Sequence, residues 1–374
     1  MNTSQRRQLS YLFIILYWVT TLVLLNFILI NSVKVYLNIS GLDPNFENAL
    51  TIKWLAPQQY IDGTLFGLFF GAFFILVTKL SRRLRIERFG FGKSILINSG
   101  IFLAGFTLAA FLMDFTMKIY ESYIGEKRIP VEMDDSMMPL VLVILLIFVF
   151  QIILLNFILQ SIEVMGDYNI IRFITGKYRT PVIENRAFMF LDLRSSVQHA
   201  EKLGNVLYSE LIRDCFRELN YLVYKFEAEI YQYVGDEIVL TWESSVAQNN
   251  NNILGIFFAF DQALQKKSGH YLNKYGIVPE FKAGCNAGEV TAAEIGIIKR
   301  DIAYHGDVIN TSSRVQGMCN VLHHDLLITP SLINDEIPLQ GFEIKSVGQH
   351  NLKGKGNETE LFSVLLKADN NDLS

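Results

Sequence analysis

Two carboxylates stand where a fold could bring them together. Asp192 closes the apolar run in "FMFLDLRSSVQHAEKLG", residues 188–204, which reads as a buried strand followed at once by a helical pattern. Asp236 comes 44 residues later, in a Gly-Asp pair between two β-rich stretches at 229–234 and 237–242, the spacing of a tight hairpin. A strand end and a hairpin tip can meet at one edge of a sheet, and the pattern leaves these acids with little other charge beside them. Such a pair suits Mg²⁺, which is typically held by one or two carboxylates while water and phosphate oxygens fill the other positions. Two ions so held can activate an attacking oxygen and neutralise a leaving phosphate. The plainer reading is a helix cap at Asp192 and a turn residue at Asp236.

A second set lies further on. The stretch "DIAYHGDVINTSSRVQG", residues 301–317, turns at His305-Gly306-Asp307 and enters a helix. Asn310 and Arg314 are four residues apart, so they project from one face and can grip one group. Arg with Asn suits a phosphoryl transition state, where charge builds on non-bridging oxygens; alone, such a pair is an ordinary solvated face. "NLKGKG", residues 351–356, sets two lysines on a glycine-rich turn, where backbone and ammonium can approach phosphate closely. Its bland counterpart is a basic hairpin. No Ser-His or Cys-His pair stands out, and His305 reads as a structural residue rather than a base.

The elements that must position these groups occupy only the second half of a 374-residue chain. Hydrophobic residues make up 51% and charged residues 19%, and the apolar excess is concentrated before residue 160. Residues 11–30, 95–113 and 140–159 each run without an acidic or basic side chain for about 20 residues, the length that crosses a bilayer as a helix. The block at 65–77, with flanks from residue 60, is shorter and carries Gly63, Gly67 and Gly71, which suits close helix packing in lipid. Four spans are expected, forming an α-helical membrane domain over residues 1–160. Arg6 and Arg7 precede the first span, and Lys79, Arg82, Arg83, Arg85, Arg88 and Lys93 crowd the second connection. Bases mark the cytoplasmic side, so both termini are expected inside. The block at 11–30 is too long for the apolar stretch of a signal peptide and lacks a small-residue cleavage site.

Other function classes lose ground on composition. A net charge of -4 gives no footing for nucleic acid as a partner. All six histidines follow residue 198, so the membrane part offers no imidazole to haem or metal and no mid-membrane acid or base for ion coupling. Asn26, Asn98, Gln151 and Asn156 read as interhelical hydrogen-bonding groups. Cys215, Cys285 and Cys319 are far apart and read as buried thiols in a reducing compartment.

Residues 161–181 read as a short helical linker ended by Pro181. Beyond it, strand patterns at 187–193, 229–234, 237–242, 281–286, 326–328, 342–347 and 361–365 interleave with helical runs, including a long amphipathic one at 252–275. The interleaving has no regular βαβ period, which points to an α+β or α/β domain with a mixed sheet. It is placed at residues 182–368, with the polar end, 369–374, expected to be disordered.

In this order "FMFLDLRSS", "YQYVGDEIVLTW", "KAGCNAGEV", "YHGDVINTSSR" and "LKGKG" resemble a class III nucleotidyl cyclase catalytic domain, over about residues 184–366. Four spans ahead of it are similar to a bacterial membrane-anchored adenylate cyclase. The resemblance implies a ferredoxin-like α+β fold in the cytoplasm beneath the inner membrane. It makes Asp192 and Asp236 the metal acids for two divalent ions, Mg²⁺ or Mn²⁺, with the backbone after Asp192 near the triphosphate. It assigns Asn310 and Arg314 to transition-state stabilisation and Lys353 to the phosphate tail, all reaching in from the partner subunit of a homodimer. The implied reaction is attack of the ribose 3′-oxygen on the α-phosphorus of ATP, giving cyclic AMP and pyrophosphate.

Two positions depart from the family pattern. Where adenylate cyclases often have Lys, four residues before the second metal acid, this chain has Gln232, and where they have Asp or Thr it has Ala303. Guanylate cyclases favour Glu, and Cys or Ser, at these places. Gln can donate or accept through its amide and so suits either purine edge, whereas Ala reads nothing with its side chain. ATP is expected on the family pattern, with GTP as the alternative. A diguanylate cyclase would want two glycines before its hairpin acids, and Val234 stands there. A nucleotide-binding receptor module that has lost activity would normally lack one of the acids, the Asn or the Arg, and all are present.

Overall fold

The structure is a computed structural model and describes residues 3–39, 52–84, 89–124, 138–165, 172–173, 175–333 and 341–367. The expected disordered end at 369–374, parts of the connections between spans and residues 166–171 of the linker stretch lie outside the described residues. The chain divides into two compact units, one within Ser4–Asp167 and the other within Tyr168–Ser374.

The first unit consists of α1 (Thr3–Ile39), α2 (Ile52–Arg83), α3 (Phe91–Ile124) and α4 (Met138–Met165). Each holds a stretch long and apolar enough to cross a membrane: Gln8–Leu29, Gly63–Ser81, Phe91–Leu108 and Leu142–Ile162. The apolar surface points outward on most of each helix, so the unit's interior is small and chosen for fit. Trp18 is fully buried there, with its ring 5.6 Å from both Phe70 and Phe102 and 5.3 Å from Phe148. The three glycines of α2 face α1. A Cβ at Gly67 would lie 2.4 Å from the Val19 Cα, and those at Gly63 and Gly71 within 2.8 and 2.9 Å of the Val23 and Ile15 Cα atoms. The polar residues behave as read for two positions: Asn156 donates to Ser99 Oγ at 3.1 Å and Tyr17 donates to Gln151. Asn98 Oδ1 is buried with no partner among the described residues.

The second unit is a mixed eight-stranded sheet in the order β2-β3-β1-β4-β6-β8-β7, with β5 paired to β4. Its elements are β1 (Val182–Leu193), α5 (Ser196–Val223), β2 (Glu229–Val234), β3 (Glu237–Glu243), α6 (Ser244–Gln248), α7 (Asn252–Lys266), α8 (Ser268–Tyr275), β4 (Phe281–Ile295), β5 (Asp301–His305), α9 (Asp307–Leu322), β6 (Leu326–Ile328), β7 (Phe342–His350) and β8 (Thr359–Leu366). All pairings are antiparallel except β4 with β6. The alternation along β1 decides the layers. Ala187, Met189, Leu191 and Leu193 are buried with Leu211, Cys215 and Leu219 of α5 and Phe257 and Phe260 of α7. Phe188, Phe190 and Asp192 therefore belong to the opposite face, where Phe188 packs with Val239, Val290 and Tyr304. The three cysteines are buried free thiols.

Three elements differ from the sequence reading. The long helix at 252–275 is two, α7 and α8, because Lys267 between them has non-helical φ -107°. The strand at 281–286 continues through Gly288 to Ile295, since β1 pairs along its whole length and β5 takes its far end. That edge strand, β5, lies where the sequence reads as turn. Periodicity missed it because five residues, ended at once by Gly306, carry almost no pattern of their own.

Substituting Gly67 by Leu should destabilise the four-helix unit by about 1–3 kcal/mol, the usual cost of forcing atoms into a packed contact. Gly100, with nothing within 4 Å of its would-be Cβ, should tolerate Leu. Thermal unfolding of the two detergent-solubilised full-length variants, side by side, checks the difference.

Candidate active site

Asp192 does not cap the helix that follows it. The N-cap of α5 is Ser195, in a left-handed conformation (φ 54°) and without a side-chain cap bond. Asp192 is instead still within β1, opposite Glu237 of β3 on one side and Lys282 of β4 on the other. Directly opposed residues share a face of the sheet. Its Oδ2 lies 3.2 Å from Lys282 Nζ and accepts a hydrogen bond from Gln316 Nε2 of α9 at 2.9 Å.

Asp236 sits in the two-residue turn between β2 and β3, since Val234 pairs with Glu237. Gly235 makes that turn possible with φ 63°, a left-handed value that costs glycine least. The Tyr208 hydroxyl donates to Asp236; burial first, and then the charge of Asp236 and that bond, push its pKa to about 12. Glu237 joins the group. Burial, then the charges of Asp192 and Asp236, raise its carboxyl to about 7. The two acids singled out by sequence are therefore brought together, but not in a charge-poor setting: Glu237 and Lys282 flank them.

Hard oxygen donors concentrated in this way fit a divalent cation. Among the described residues no three His, Cys, Asp or Glu side chains form a metal cage of their own.

The second set collects elsewhere. α9 lies against β4 so closely that a Cβ at Gly284 would stand 2.0 Å from Gln316 N and 2.7 Å from Ser312 O. Its sheet-facing side holds Thr311, Ser312, Val315, Gln316 and Cys319, all buried. Asn310 is exposed and Arg314 half-buried, and Arg314 stands two residues, or about 200° of helix, from Gln316. The helix thus shows Gln316 to Asp192 and turns Asn310 and Arg314 away. The glycine-rich turn is pinned beside Arg314 by Leu352, buried with Val315 and Cys319, and by Lys355 Nζ at 2.9 Å from Asp307 Oδ2. Gly354 (φ 77°) comes close enough that a Cβ there would be 3.4 Å from Arg314 Nη2. Lys355 is engaged in holding the turn, and Lys353 is exposed.

Gln232 and Ala303 lie on β2 and β5. The strands are linked by their neighbours: the Tyr231 and Tyr304 rings are 5.1 Å apart, and Tyr304 N donates to Tyr231 Oη at 3.4 Å. Sequence reasoning missed Glu237, Lys282, Gln316 and Tyr208. Lys282, a lone base in an apolar strand, was the one available signal; the others depend on register and helix packing.

Residues 179–365, half of the chain, match the family described as the adenylate and guanylate cyclase catalytic domain, and the chain belongs to that family. A protein named adenylate cyclase 2 from Rhizobium meliloti is 31% identical over 208 residues, covering 56% of this chain and 57% of that protein. An adenylate cyclase from Anabaena cylindrica is 22% identical over 183 residues, covering 47% and 36%. The chain spans about half the length, or less, of the curated relatives it matches. The solved adenylyl cyclase CyaB from P. aeruginosa has a similar fold at 19% identity and a TM-score of 0.42, covering 52% of this chain and all of that one.

In the metal-free protein Glu237 should keep its proton to about pH 7, whereas its ordinary value is 4.5. The folded state then binds more protons than the unfolded state across that interval, so stability should fall as pH rises from about 4.5 to about 7. Glu237→Gln should flatten this slope. Thermal midpoints of the full chain in chelator, from pH 5 to 8, check the sign.

Proposed function

We propose that this protein is a membrane-anchored adenylate cyclase that works as a homodimer, with each active site shared between two chains. The observation that carries this reading is the division of the site residues on α9 and around it. Gln316 faces Asp192 while Asn310 and Arg314 face the other way, which supports a reading in which a second copy unites the two sets. The fully exposed Ile297 and Ile298, between β4 and β5, fit an element that is covered on association.

In this reading Asp192 and Asp236 would hold divalent ions, Mg²⁺ or Mn²⁺, which supply Lewis-acid polarisation of phosphate oxygens and of the attacking hydroxyl. Gln232 and the backbone at Ala303 address the base, and the Gln232 amide accepts from or donates to the adenine edge. Lys353 binds the phosphate tail. The ribose 3′-oxygen bonds to the α-phosphorus, the bond to the bridging oxygen breaks, pyrophosphate leaves, and the hydroxyl proton passes to solvent. Arg314 and Asn310 meet the charge that builds on the non-bridging oxygens. ATP is preferred on the 31% identity to a protein named an adenylate cyclase; GTP is the second substrate to test. The four apolar helices would anchor the chain in the inner membrane, with the catalytic domain at 182–368 and both termini in the cytoplasm.

Mixing full-length chains carrying Asp236→Asn with chains carrying Arg314→Ala tests this. Each homodimer should be nearly inactive, since removing one transition-state donor costs about 10²–10³-fold. The mixed dimer has one site with both defects and one wholly native. Cyclic AMP production should return to about a quarter of the parent's when random pairing makes half the dimers mixed. No recovery despite demonstrated subunit exchange would place the site within one chain.

A further inference from the structure

Behind the strands that carry Gln232 and Ala303 lies a charged group that the reaction does not use. Arg186 of β1 is 0% exposed, in a strand whose next five residues are apolar. Its Nε donates to Thr241 Oγ1 at 3.1 Å and its Nη1 to Glu184 Oε2 at 3.3 Å. Nη2 lies 3.0 Å from Glu229 Oε2, an ion pair whose angle misses hydrogen-bond geometry. The guanidinium also sits over the Tyr304 ring, 4.9 Å from its centroid. Glu229 is in turn gripped bidentately by Arg172, at 2.8 and 3.1 Å. Glu184 receives Lys177 at 2.7 Å and the Tyr178 hydroxyl at 2.8 Å.

The two ends of this network matter most. Glu229 begins β2, three residues before Gln232, and Tyr304 follows Ala303 on β5. The sheet order separates β2 from β5 by three strands, so no ladder of backbone-to-backbone hydrogen bonds sets their separation. Arg186 touches both through one rigid, planar side chain, and Tyr231 and Tyr304 complete the bridge at 5.1 Å. Burying a guanidinium is costly, and a packed hydrophobic residue would stabilise the fold as well or better. A hydrophobic residue, however, has no directional contact with which to fix two strands at one spacing, whereas guanidinium's fork and flat face do.

We propose that Arg186 is a positioning residue for base selection: through Glu229 and Tyr304 it holds β2 and β5 at the spacing that lets Gln232 and the backbone at Ala303 discriminate between purines. Arg172 supports it by fixing Glu229. The proposal rests on the reading that Gln232 and Ala303 face the base. It is independent of whether catalysis follows.

The test uses the full-length protein with Arg186→Met, Arg186→Lys and Tyr231→Phe. Two quantities are read: kcat and KM with ATP and GTP, and binding of non-cyclisable ATP and GTP analogues. Arg186→Met should raise KM for ATP and cut the ATP-to-GTP preference about tenfold, with kcat changed far less, because ground-state base contacts are lost rather than transition-state ones. Arg186→Lys should restore part of the preference. Tyr231→Phe, which removes only the oxygen that Tyr304 N meets, should shift preference the same way by a smaller factor, and it keeps the test open if Arg186→Met does not fold. A preference unchanged in folded Arg186→Met, or in Tyr231→Phe where Arg186→Met is unfolded, overturns the proposal. A parent that binds both analogues but cyclises neither nucleotide overturns the cyclase reading alone, and the binding ratio still decides this one. A parent that binds neither overturns both.

Discussion

The contact on which the site depends is the seating of α9 against the sheet at Gly284. With no side chain there, the helix backbone at Ser312 and Gln316 comes into direct contact with β4. A helix held that closely has its rotation fixed, because any other residue pointing at the strand would collide. Rotation in turn decides which α9 side chains meet which partners. Gln316 reaches Asp192, Thr311 and Ser312 are enclosed, and Asn310 and Arg314 are left facing outward with the Gly354 turn. One absent Cβ thus sorts the polar residues of a single helix into an inward set and an outward set.

The sheet's other face carries two kinds of charge handling. At the Asp192 end, carboxylates accumulate, and Lys282 and Gln316 only partly offset them. Burial first, and then that surplus, raises the Glu237 carboxyl, the condition in which a cation would be welcome. At the opposite end of β1 each carboxylate is paired with cations. Burial opposes ionisation of Arg172 and Glu184, yet Glu229 holds the first guanidinium above its ordinary value, and Lys177 and Tyr178 hold the Glu184 carboxyl below its own. The strand is thus electrostatically unsatisfied at one end and paired at the other.

The helical unit solves a different problem with the same device. Most of the apolar surface of these helices is not buried within the unit, so close van der Waals fit carries their pairing. Gly63, Gly67 and Gly71 let α1 and α2 approach until side chains of one meet backbone of the other. Trp18 then fills the interior against rings from the other three helices, stacked on Phe70 and Phe102 and tilted to Phe148.

Much of this was legible in the sequence because it depends on local pattern. Four apolar stretches, the glycine spacing of the second, the alternation of β1 and the Gly-Asp hairpin follow from hydropathy, period and turn chemistry, which act within a few residues. The two acids and the Asn310–Arg314 pair could be named for the same reason, since strand ends, turns and helix faces are short-range features. Tertiary structure alone decided the rest. Lys282 and Glu237 became neighbours of Asp192 through strand register, Gln316 through the rotation of α9, and Tyr231 met Tyr304 through the pairing of β5 with the far end of β4. None of these leaves a trace in spacing, because the partners are tens of residues apart and chosen by packing. The same is true of Arg186: its sequence neighbours describe an apolar strand, and only the assembled sheet supplies the two acids and the ring that let a buried charge stay there.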